Sequence, residues 1–461
     1  MKLTVIGTGP GGYVASIAAA KLGAKVTVIE ESEVGGTCLN RGCIPTKALA
    51  ESSAILSKVR KLEDYGIKIN GKITPDIAKI IERKNRIINS QIKGIKTLFE
   101  SWGIILKEGR GRIRSPVEVE VILKDGSKEV IKTDKIIIAT GSRPAELPDA
   151  PFDSKRIISS NDALNLRDIP KSLLIIGAGV IGCEFASIYK ELGSEVTIVE
   201  TLQRALATED IEISGLLEKE FKKKNIRLYT NTKIKKIEIK DNKVHAILHD
   251  KKKITTDKAL ICGGREFNSN DIGIEEVGIN KGKSGEIMVN EKMETNVPGV
   301  YAIGDVTGRV LLAHVASAQG IIAARNIMGR DECMNYDAIP SAIFTSPEIA
   351  SVGLREYQAE DRGIKVRTGY FQFRSLGRAH IMGEINGFIK IVSEDSTDRI
   401  LGMHIIGPHA SDLIHEGVLA IKKGLRTKDI AETIHAHPTL SEGLMEAAKD
   451  VFHEAIHVPK L

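Results

Sequence analysis

One stretch of this chain occurs twice, and that constrains the fold more than anything else in it. Val5-Ile6-Gly7-Thr8-Gly9-Pro10-Gly11-Gly12 is followed by Leu22-Gly23 and then Val26-Thr27-Val28-Ile29-Glu30. Ile175-Ile176-Gly177-Ala178-Gly179-Val180-Ile181-Gly182 is followed by Leu192-Gly193 and then Val196-Thr197-Ile198-Val199-Glu200. Each copy reads as a buried strand, a tight glycine turn, a helix, a glycine stop and a second strand. The first glycine (Gly7, Gly177) permits the turn, the second (Gly9, Gly179) lets backbone approach a pyrophosphate, and the third (Gly12, Gly182) lets helix pack on strand. The anion sits on unpaired N–H groups at the helix N-terminus. The acid closing the second strand (Glu30, Glu200) accepts hydrogen bonds from a ribose hydroxyl pair. A single such turn is weak evidence. Two, each with its acid at the right distance, predict two dinucleotide sites.

The remaining punctuation fits a chain of about three domains, given its 461 residues. Buried strands are predicted at Lys135–Ala139, Lys258–Cys262 and Val300–Ile303, ending in Ala139-Thr140-Gly141, Gly263-Gly264-Arg265 and Gly304-Asp305. From about Tyr336, strand-like runs (Ala342–Phe344, Gly369–Phe373, Phe388–Val392, Ile400–Ile406) precede helical ones (Asp412–Lys423, Thr427–Thr433, Thr439–Val451). Strands followed by helices predict a separate α+β unit. With 42% apolar and 27% charged residues, disorder is excluded. No apolar run reaches the roughly 18 residues of a membrane span. Lys222–Lys224 and Lys251–Lys253 read as solvated helix ends and hairpin tips. A net charge of +6 and a single Trp argue against a nucleic-acid partner. With no charged leader before Met1–Ile6, a cytoplasmic setting is expected.

The most informative local stretch is Gly35-Gly36-Thr37-Cys38-Leu39-Asn40-Arg41-Gly42-Cys43-Ile44-Pro45-Thr46-Lys47. Along a regular helix, Cys38 and Cys43 would stand ~7.5 Å apart, beyond the ~7 Å Cα limit for a disulfide. A bridge would therefore need an irregular backbone, which Gly42 permits. A bridge closing so short a loop adds little stability and would be labile. Cys43 is expected near a helix N-terminus, where the dipole favours a thiolate, with Lys47 one turn on adding positive charge. The alternatives are inert thiols or a zinc site; zinc needs two more ligands, and Cys183, Cys262 and Cys333 stand singly. Arg41 either lowers the Cys38 pKa further or points to solvent.

A second candidate pair lies in His435-Ala436-His437-Pro438-Thr439-Leu440-Ser441-Glu442. Pro438 suits the first position of a helix and biases His437 toward an extended conformation. Glu442, about one turn into that helix, is placed to orient the imidazole and support its protonated form, making His437–Glu442 a general acid/base pair. His435 reads as a bystander.

Taken together, these motifs resemble the two-domain flavoprotein disulfide reductases (class I pyridine nucleotide-disulphide oxidoreductases). The resemblance covers the whole length and extends to Tyr301-Ala302-Ile303-Gly304-Asp305, Leu312-Ala313-His314 and Phe344-Thr345-Ser346-Pro347-Glu348-Ile349-Ala350-Ser351-Val352-Gly353. It implies an α/β fold with two Rossmann-like dinucleotide-binding domains, for FAD and NAD, plus a C-terminal α+β dimerisation domain. The implied divisions are 1–142 (FAD, first part), 143–263 (NAD), 264–335 (FAD/central, second part) and 336–461 (interface). Implied FAD contacts are Gly7, Gly9, Pro10, Gly11, Gly12, Glu30, Glu31, Gly36, Thr37, Lys47, Gly111, Ala139, Thr140, Gly141, Gly304, Asp305, Leu312, Ala313 and His314. Implied NAD contacts are Gly177, Gly179, Val180, Ile181, Gly182, Glu200 and Gly264.

The resemblance also implies chemistry. Lys47 pairs with Glu184 beside the flavin, Cys43 faces the flavin as a thiolate, Cys38 exchanges with substrate, and His437–Glu442 acts across a homodimer. Two electrons then pass from a dihydrolipoyl dithiol through the Cys38–Cys43 disulfide and FAD to NAD⁺. The partner is a lipoyl-bearing carrier protein, the acyltransferase component of a 2-oxoacid dehydrogenase complex or a glycine cleavage carrier. Reduction of a glutathione or coenzyme A disulfide by NAD(P)H is the alternative. Against it, Tyr13–Ala18 lacks the arginines that the glutathione enzymes carry there. Glu200 favours NAD over NADP because a carboxylate repels a 2′-phosphate, although Arg204 is near. Phe267 replaces a proline common in the family and puts its local turn in question.

Overall fold

The computed structural model describes residues 1–459. Its two largest structural units grow from the two copies. In the first, the strands Lys2–Ile6, Lys25–Glu30 and Lys135–Ile138 run parallel, with Lys2–Ile6 in the middle. The full order is Val300–Ala302, Lys135–Ile138, Lys2–Ile6, Lys25–Glu30, Ile105–Ser115, Glu118–Leu123, Lys128–Lys132. Val5, Val28 and Ile136 to Ile138 are fully buried, as expected of parallel strands covered on both faces. In the second unit, Ser172–Ile176 pairs in parallel with Glu195–Val199 and Lys258–Ile261. A three-stranded sheet, Ile234–Lys240, Lys243–Leu248 and Lys253–Thr256, packs on it.

The chain passes from the first unit to the second and back through a small ribbon. Ser142–Pro144 pairs antiparallel with Arg265–Phe267, with Phe267 opposite Ser142. This answers the question raised by Phe267: it is an ordinary strand residue, and its ring lies near Gly308.

The C-terminal unit is an antiparallel sheet in the order Ser341–Ile343, Ile349–Gly353, Ile400–Ile406, Phe388–Glu394, Val366–Gln372. The sequence pattern understates its mixing, because the short helices Glu356–Asp361 and Gly377–Met382 fall between strands. The last helix also differs from expectation. It runs Glu442–Asp450 with Ser441 as N-cap, so Pro438 lies before it rather than at its first position. Glu442 is its first residue, not one turn in.

The long helix Ile77–Ser101 has no counterpart in the sequence reading. It is capped by Asp76, whose carboxylate accepts from Lys79 N–H at 3.1 Å. Its Lys84 is buried and donates to Leu164 O (2.9 Å) and Asn165 Oδ1 (2.6 Å), fastening the helix to the second unit. Lys251–Lys253 does lie at a hairpin tip. Lys224, by contrast, is not solvated: it turns inward to Glu191 (2.9 Å) and Ser346 (2.8 Å). No helix among the described residues is long and apolar enough to cross a membrane.

Candidate active site

The two cysteines meet where a helix breaks. Gly35 and Gly36 adopt positive φ (97° and 59°), and a short helix runs Gly36–Arg41. Gly42 interrupts it, and a new helix runs Cys43–Val59. A Cβ on Gly42 would lie 3.0 Å from Thr37 O and 3.3 Å from Cys38 Cα, so the bend is tight enough to favour glycine. The bend brings the Cys38 thiol into hydrogen-bonding contact with Cys43, and both are free thiols here.

The two sulfurs are not equivalent. The hydrogen bond from Cys38 lowers Cys43 to a pKa of about 7; burial opposes this, and the Lys47 charge reinforces it. Cys43 is also the first residue of its helix, where the dipole favours an anion. Cys38 is pushed well above the usual thiol range, first by that same hydrogen bond and then by burial. Arg41 is engaged by a neighbouring acid. It pairs with Glu33 at 2.7 Å.

Lys47 reaches across to the second unit. Its Nζ donates to both carboxylate oxygens of Glu184 at 2.9 Å, and Glu184 is 3% exposed on the helix Val180–Leu192. Removing one member of so enclosed a pair costs about 3–5 kcal/mol, because the other charge is left unpaired.

Both fingerprint turns have the predicted form. Gly7 and Gly177 share a φ of 103°. A Cβ on Gly12 would lie 2.0 Å from Gly7 O, and one on Gly182 would lie 2.0 Å from Gly177 O. Nothing lies within 4 Å of a Cβ on Gly9 or Gly179, so both positions face open space at helix N-termini that no side chain caps. Pro10 and Gly11 open the first helix, as Val180 and Ile181 open the second. In the first unit another uncapped helix, Ala313–Ile327 with Leu312 as N-cap, packs alongside; a Cβ on Gly320 would meet Gly11 O at 2.6 Å. Gly36 presses on the same turn: a Cβ there would lie 2.7 Å from the Gly9 Cα. This open cradle of backbone N–H groups fits a dinucleotide pyrophosphate.

The closing acids are buried and held by the turns they serve. Glu30 accepts from Thr8 N–H (2.9 Å), the Thr8 hydroxyl and Ser32 N–H (2.9 Å). Glu200 accepts from Ala178 N–H (2.6 Å), Leu202 N–H (2.8 Å) and the Thr201 hydroxyl (3.2 Å). Arg204 is bonded within its own loop. Its guanidinium donates to Ala207 O and Glu209 O and lies over the Tyr357 ring.

Several other implied contacts gather near the ribbon. Asp305 follows Gly304 (φ 73°) and accepts from the Ser142 hydroxyl at 2.5 Å. Thr140 is stitched to Asn268 by two hydrogen bonds, between Ala139 and Gly141 (φ 69°). The Thr37 hydroxyl reaches Ser142 O at 3.5 Å, and Gly264 (φ 144°) precedes the returning strand. His314 Nε2 lies 2.9 Å from Pro340 O, and burial lowers its pKa. Gly111 lies against Ile6 and Ile29, which flank the first glycine turn and its acid, and Glu31 is exposed beyond its strand.

His437 and Glu442 pair as expected, Nδ1 to Oε1 at 2.8 Å, while Thr439 N–H donates to the other carboxylate oxygen at 2.8 Å. Burial raises the Glu442 pKa, but the Thr439 N–H and His437 hold it below the usual range on balance. The His437 side chain is 77% exposed. The His435 side chain is buried against Glu416 at 3.1 Å.

Residues 1–320 match the family described as pyridine nucleotide-disulphide oxidoreductase, and residues 339–448 match that family's dimerisation domain. The chain belongs to the pyridine nucleotide-disulphide oxidoreductases. It is an FAD- and NAD-linked oxidoreductase, and the matched dimerisation domain supports a homodimer. It is 46% identical over 455 residues to the dihydrolipoyl dehydrogenase of Chlamydia pneumoniae, covering 99% of this chain and 98% of that one. It is 40% identical to the mitochondrial dihydrolipoyl dehydrogenase of Dictyostelium discoideum, covering 99% and 95%. Among solved structures, LpdA from Mycobacterium tuberculosis superposes with a TM-score of 0.92 at 29% identity, covering 97% of this chain and 99% of that one.

Sequence reasoning did not single out Thr8, Ser142, Arg265 or Phe344 as site residues. Arg265 donates to the Ser142 hydroxyl (2.6 Å) and Ser142 O (2.7 Å) and lies 3.6 Å from Asp305. Its signal was its place directly after a double glycine. Thr8 and Phe344 lie inside recognised motifs, but nothing in their residue type announces the contacts they make. Among the described residues, no cluster of His, Cys, Asp and Glu is arranged to hold a metal.

Proposed function

We propose that this chain oxidises the dithiol of a dihydrolipoyl group to lipoyl disulfide and passes the two electrons to NAD⁺. The observation that carries the reading is the asymmetric thiol pair at the Gly42 break, with Cys43 held toward its thiolate and Lys47–Glu184 beside it. In the oxidised enzyme these sulfurs form a disulfide. His437 of the partner subunit, oriented by the partner's Glu442, takes a proton from one substrate thiol. The resulting thiolate attacks Cys38, the Cys38–Cys43 bond breaks, and Cys43 leaves as a thiolate. The second substrate thiol then attacks the substrate sulfur of the mixed disulfide. This closes the lipoyl ring and returns Cys38 as a thiol. When bound, FAD supplies the two-electron acceptor that reoxidises the pair and the hydride donor for NAD⁺. Gly7, Gly9, Gly12, Glu30, Gly304 and Asp305 would hold FAD, and Gly177, Gly179, Gly182 and Glu200 would hold NAD.

The full-length likeness to dihydrolipoyl dehydrogenases supports this substrate, and a lipoyl-bearing carrier protein is the proposed partner. Glu200, with Arg204 turned away from it, supports NAD over NADP. A cytoplasmic setting suits a dithiol that must cycle between its two states.

The test is His437→Gln with dihydrolipoamide and NAD⁺. The expected outcome is a protein that keeps its flavin and loses roughly 10²–10⁴-fold in dithiol oxidation. Near-full activity would remove His437 from the reaction. Wild-type preference for glutathione or coenzyme A disulfide would replace the substrate. In the dithiol-reduced enzyme, thiolate-dependent charge-transfer absorbance is expected to rise with a midpoint near the Cys43 value of about 7, and to vanish as acid protonates that sulfur.

A further inference from the structure

The charge that faces Cys43 is held from a third direction. Phe344 follows the strand Ser341–Ile343 of the C-terminal unit. Its backbone N–H donates to Glu184 Oε1 at 2.9 Å. Its ring lies under the Lys47 ammonium, 4.8 Å from Nζ to the ring centroid. Lys47 belongs to the cysteine helix and Glu184 to the second fingerprint helix. Three separately built parts of the fold therefore converge on one ion pair.

We propose that Phe344 is a positioning residue for the dithiol site, fixing the Lys47 ammonium with its ring and the Glu184 carboxylate with its N–H. This rests on the functional reading above. The mounting is rigid. Ile343 is fully buried, pairs with Ile349, and shares one apolar cluster with Leu49 and Leu56 of the cysteine helix. The ammonium is partly withdrawn from water, which strengthens its attraction to the ring face. Leucine or methionine at this position keeps the N–H bond to Glu184 but offers no π face. Tyrosine keeps both. The charged and titratable groups facing Cys43 are Cys38 from the preceding helix, Lys47 from its own, Glu184 from the second unit and Arg265 from the ribbon. Among the described residues, the cation over the Phe344 ring is Lys47.

The test titrates the Cys43 thiolate in two ways. In flavin-loaded, dithiol-reduced enzyme, charge-transfer absorbance is followed against pH. In parallel, the rate of iodoacetamide alkylation at Cys43 is followed against pH by peptide mass spectrometry, a readout that needs no flavin chemistry. Phe344→Leu and Phe344→Met are expected to raise the midpoint by about half a pH unit, as a less fixed ammonium stabilises the thiolate less. Phe344→Tyr is expected to titrate like wild type. Should the leucine protein fail to fold, the methionine and tyrosine pair decides the matter. Unchanged alkylation midpoints in the leucine or methionine protein would overturn the proposal, as would a tyrosine protein displaced as far as they are. A wild-type enzyme without the absorbance band would defeat the functional reading instead, and the alkylation series would still decide the role of Phe344.

Discussion

The two glycine turns are nearly the same object set to different uses. Gly7 and Gly177 share one backbone angle, Gly12 and Gly182 have the same clearance, and in each copy the turn's N–H binds the distal glutamate. What differs is what the turn touches next. In the first copy Thr8 replaces Ala178, and its hydroxyl bonds Glu30 while accepting from Gly35 N–H at 3.1 Å. That links the turn to the loop that launches the cysteine helix. In the second copy the helix itself carries the extra function, since Glu184 follows directly after Gly182 and Cys183. A common frame thus supplies the dinucleotide cradle, and single residues at its edges attach each cradle to the sulfur chemistry.

The strongest way to break the symmetry is to put a methyl group where neither copy has room. In Gly12→Ala and Gly182→Ala the new Cβ would collide with a carbonyl oxygen 2.0 Å away. Gly12→Ala is expected to purify without flavin and without activity. Gly182→Ala is expected to stay yellow and to be bleached by dihydrolipoamide, yet to lose all reaction with NADH. Absorbance spectra with each reductant separate the two. Equal loss of flavin in both would show that the copies are not independent cradles.

A milder change sharpens the comparison at the acids. Glu200 accepts two backbone N–H bonds, and an amide nitrogen cannot accept either. Glu200→Gln is expected to lower kcat/KM for NAD⁺ roughly ten- to hundred-fold, the range for a lost hydrogen bond to a charged group. It is also expected to narrow the preference over NADP⁺, because the repelling charge is gone. Steady-state assays with both nucleotides check this. Unchanged selectivity would shift the discrimination to another residue.

These copies were legible in sequence because their physics is local. A glycine forced to positive φ, a helix packed on a strand and an acid at a strand end all act within about thirty residues. The cysteine motif was legible for the same reason, since Gly42 breaks the helix between neighbours. What spacing could not show were contacts closed by the fold over long separations: Phe344 on Lys47 and Glu184, Arg265 on Ser142, Lys84 on Leu164. The helix Ile77–Ser101 went unread although Asp76 caps it. The start of the last helix was misplaced because Pro438 was taken as its opening residue, whereas the chain turns once more and Ser441 becomes the cap. His437 is the instructive case. Its partner Glu442 could be inferred from sequence, but the 77% exposure of the imidazole could not, because exposure is set by the whole fold.

The smallest expected effect isolates the one atom by which the two turns differ most. Thr8→Ala makes the first turn chemically like the second, so the turn itself should survive, as Ala178 shows it can. What is lost is the hydroxyl's bond to Glu30, which keeps its Thr8 and Ser32 N–H donors, and the acceptor for Gly35 N–H, which becomes a buried unsatisfied donor at a cost of about 1–3 kcal/mol. The orphaned donor lies on the loop leading to Cys38, whereas Glu30 keeps two backbone donors. Flavin should therefore still bind at saturating concentration, but the urea midpoint for its release should fall, while the KM for NADH stays within about twofold because the distant cradle is untouched. The reciprocal change, Ala178→Ser, adds a hydroxyl next to Glu200 with no Gly35 equivalent to serve, and should leave both readouts where they were. If Thr8→Ala released flavin no more readily than wild type, the threonine would be a bystander, and the attachment of the first cradle to the cysteine helix would rest on Gly36 packing against Gly9 alone.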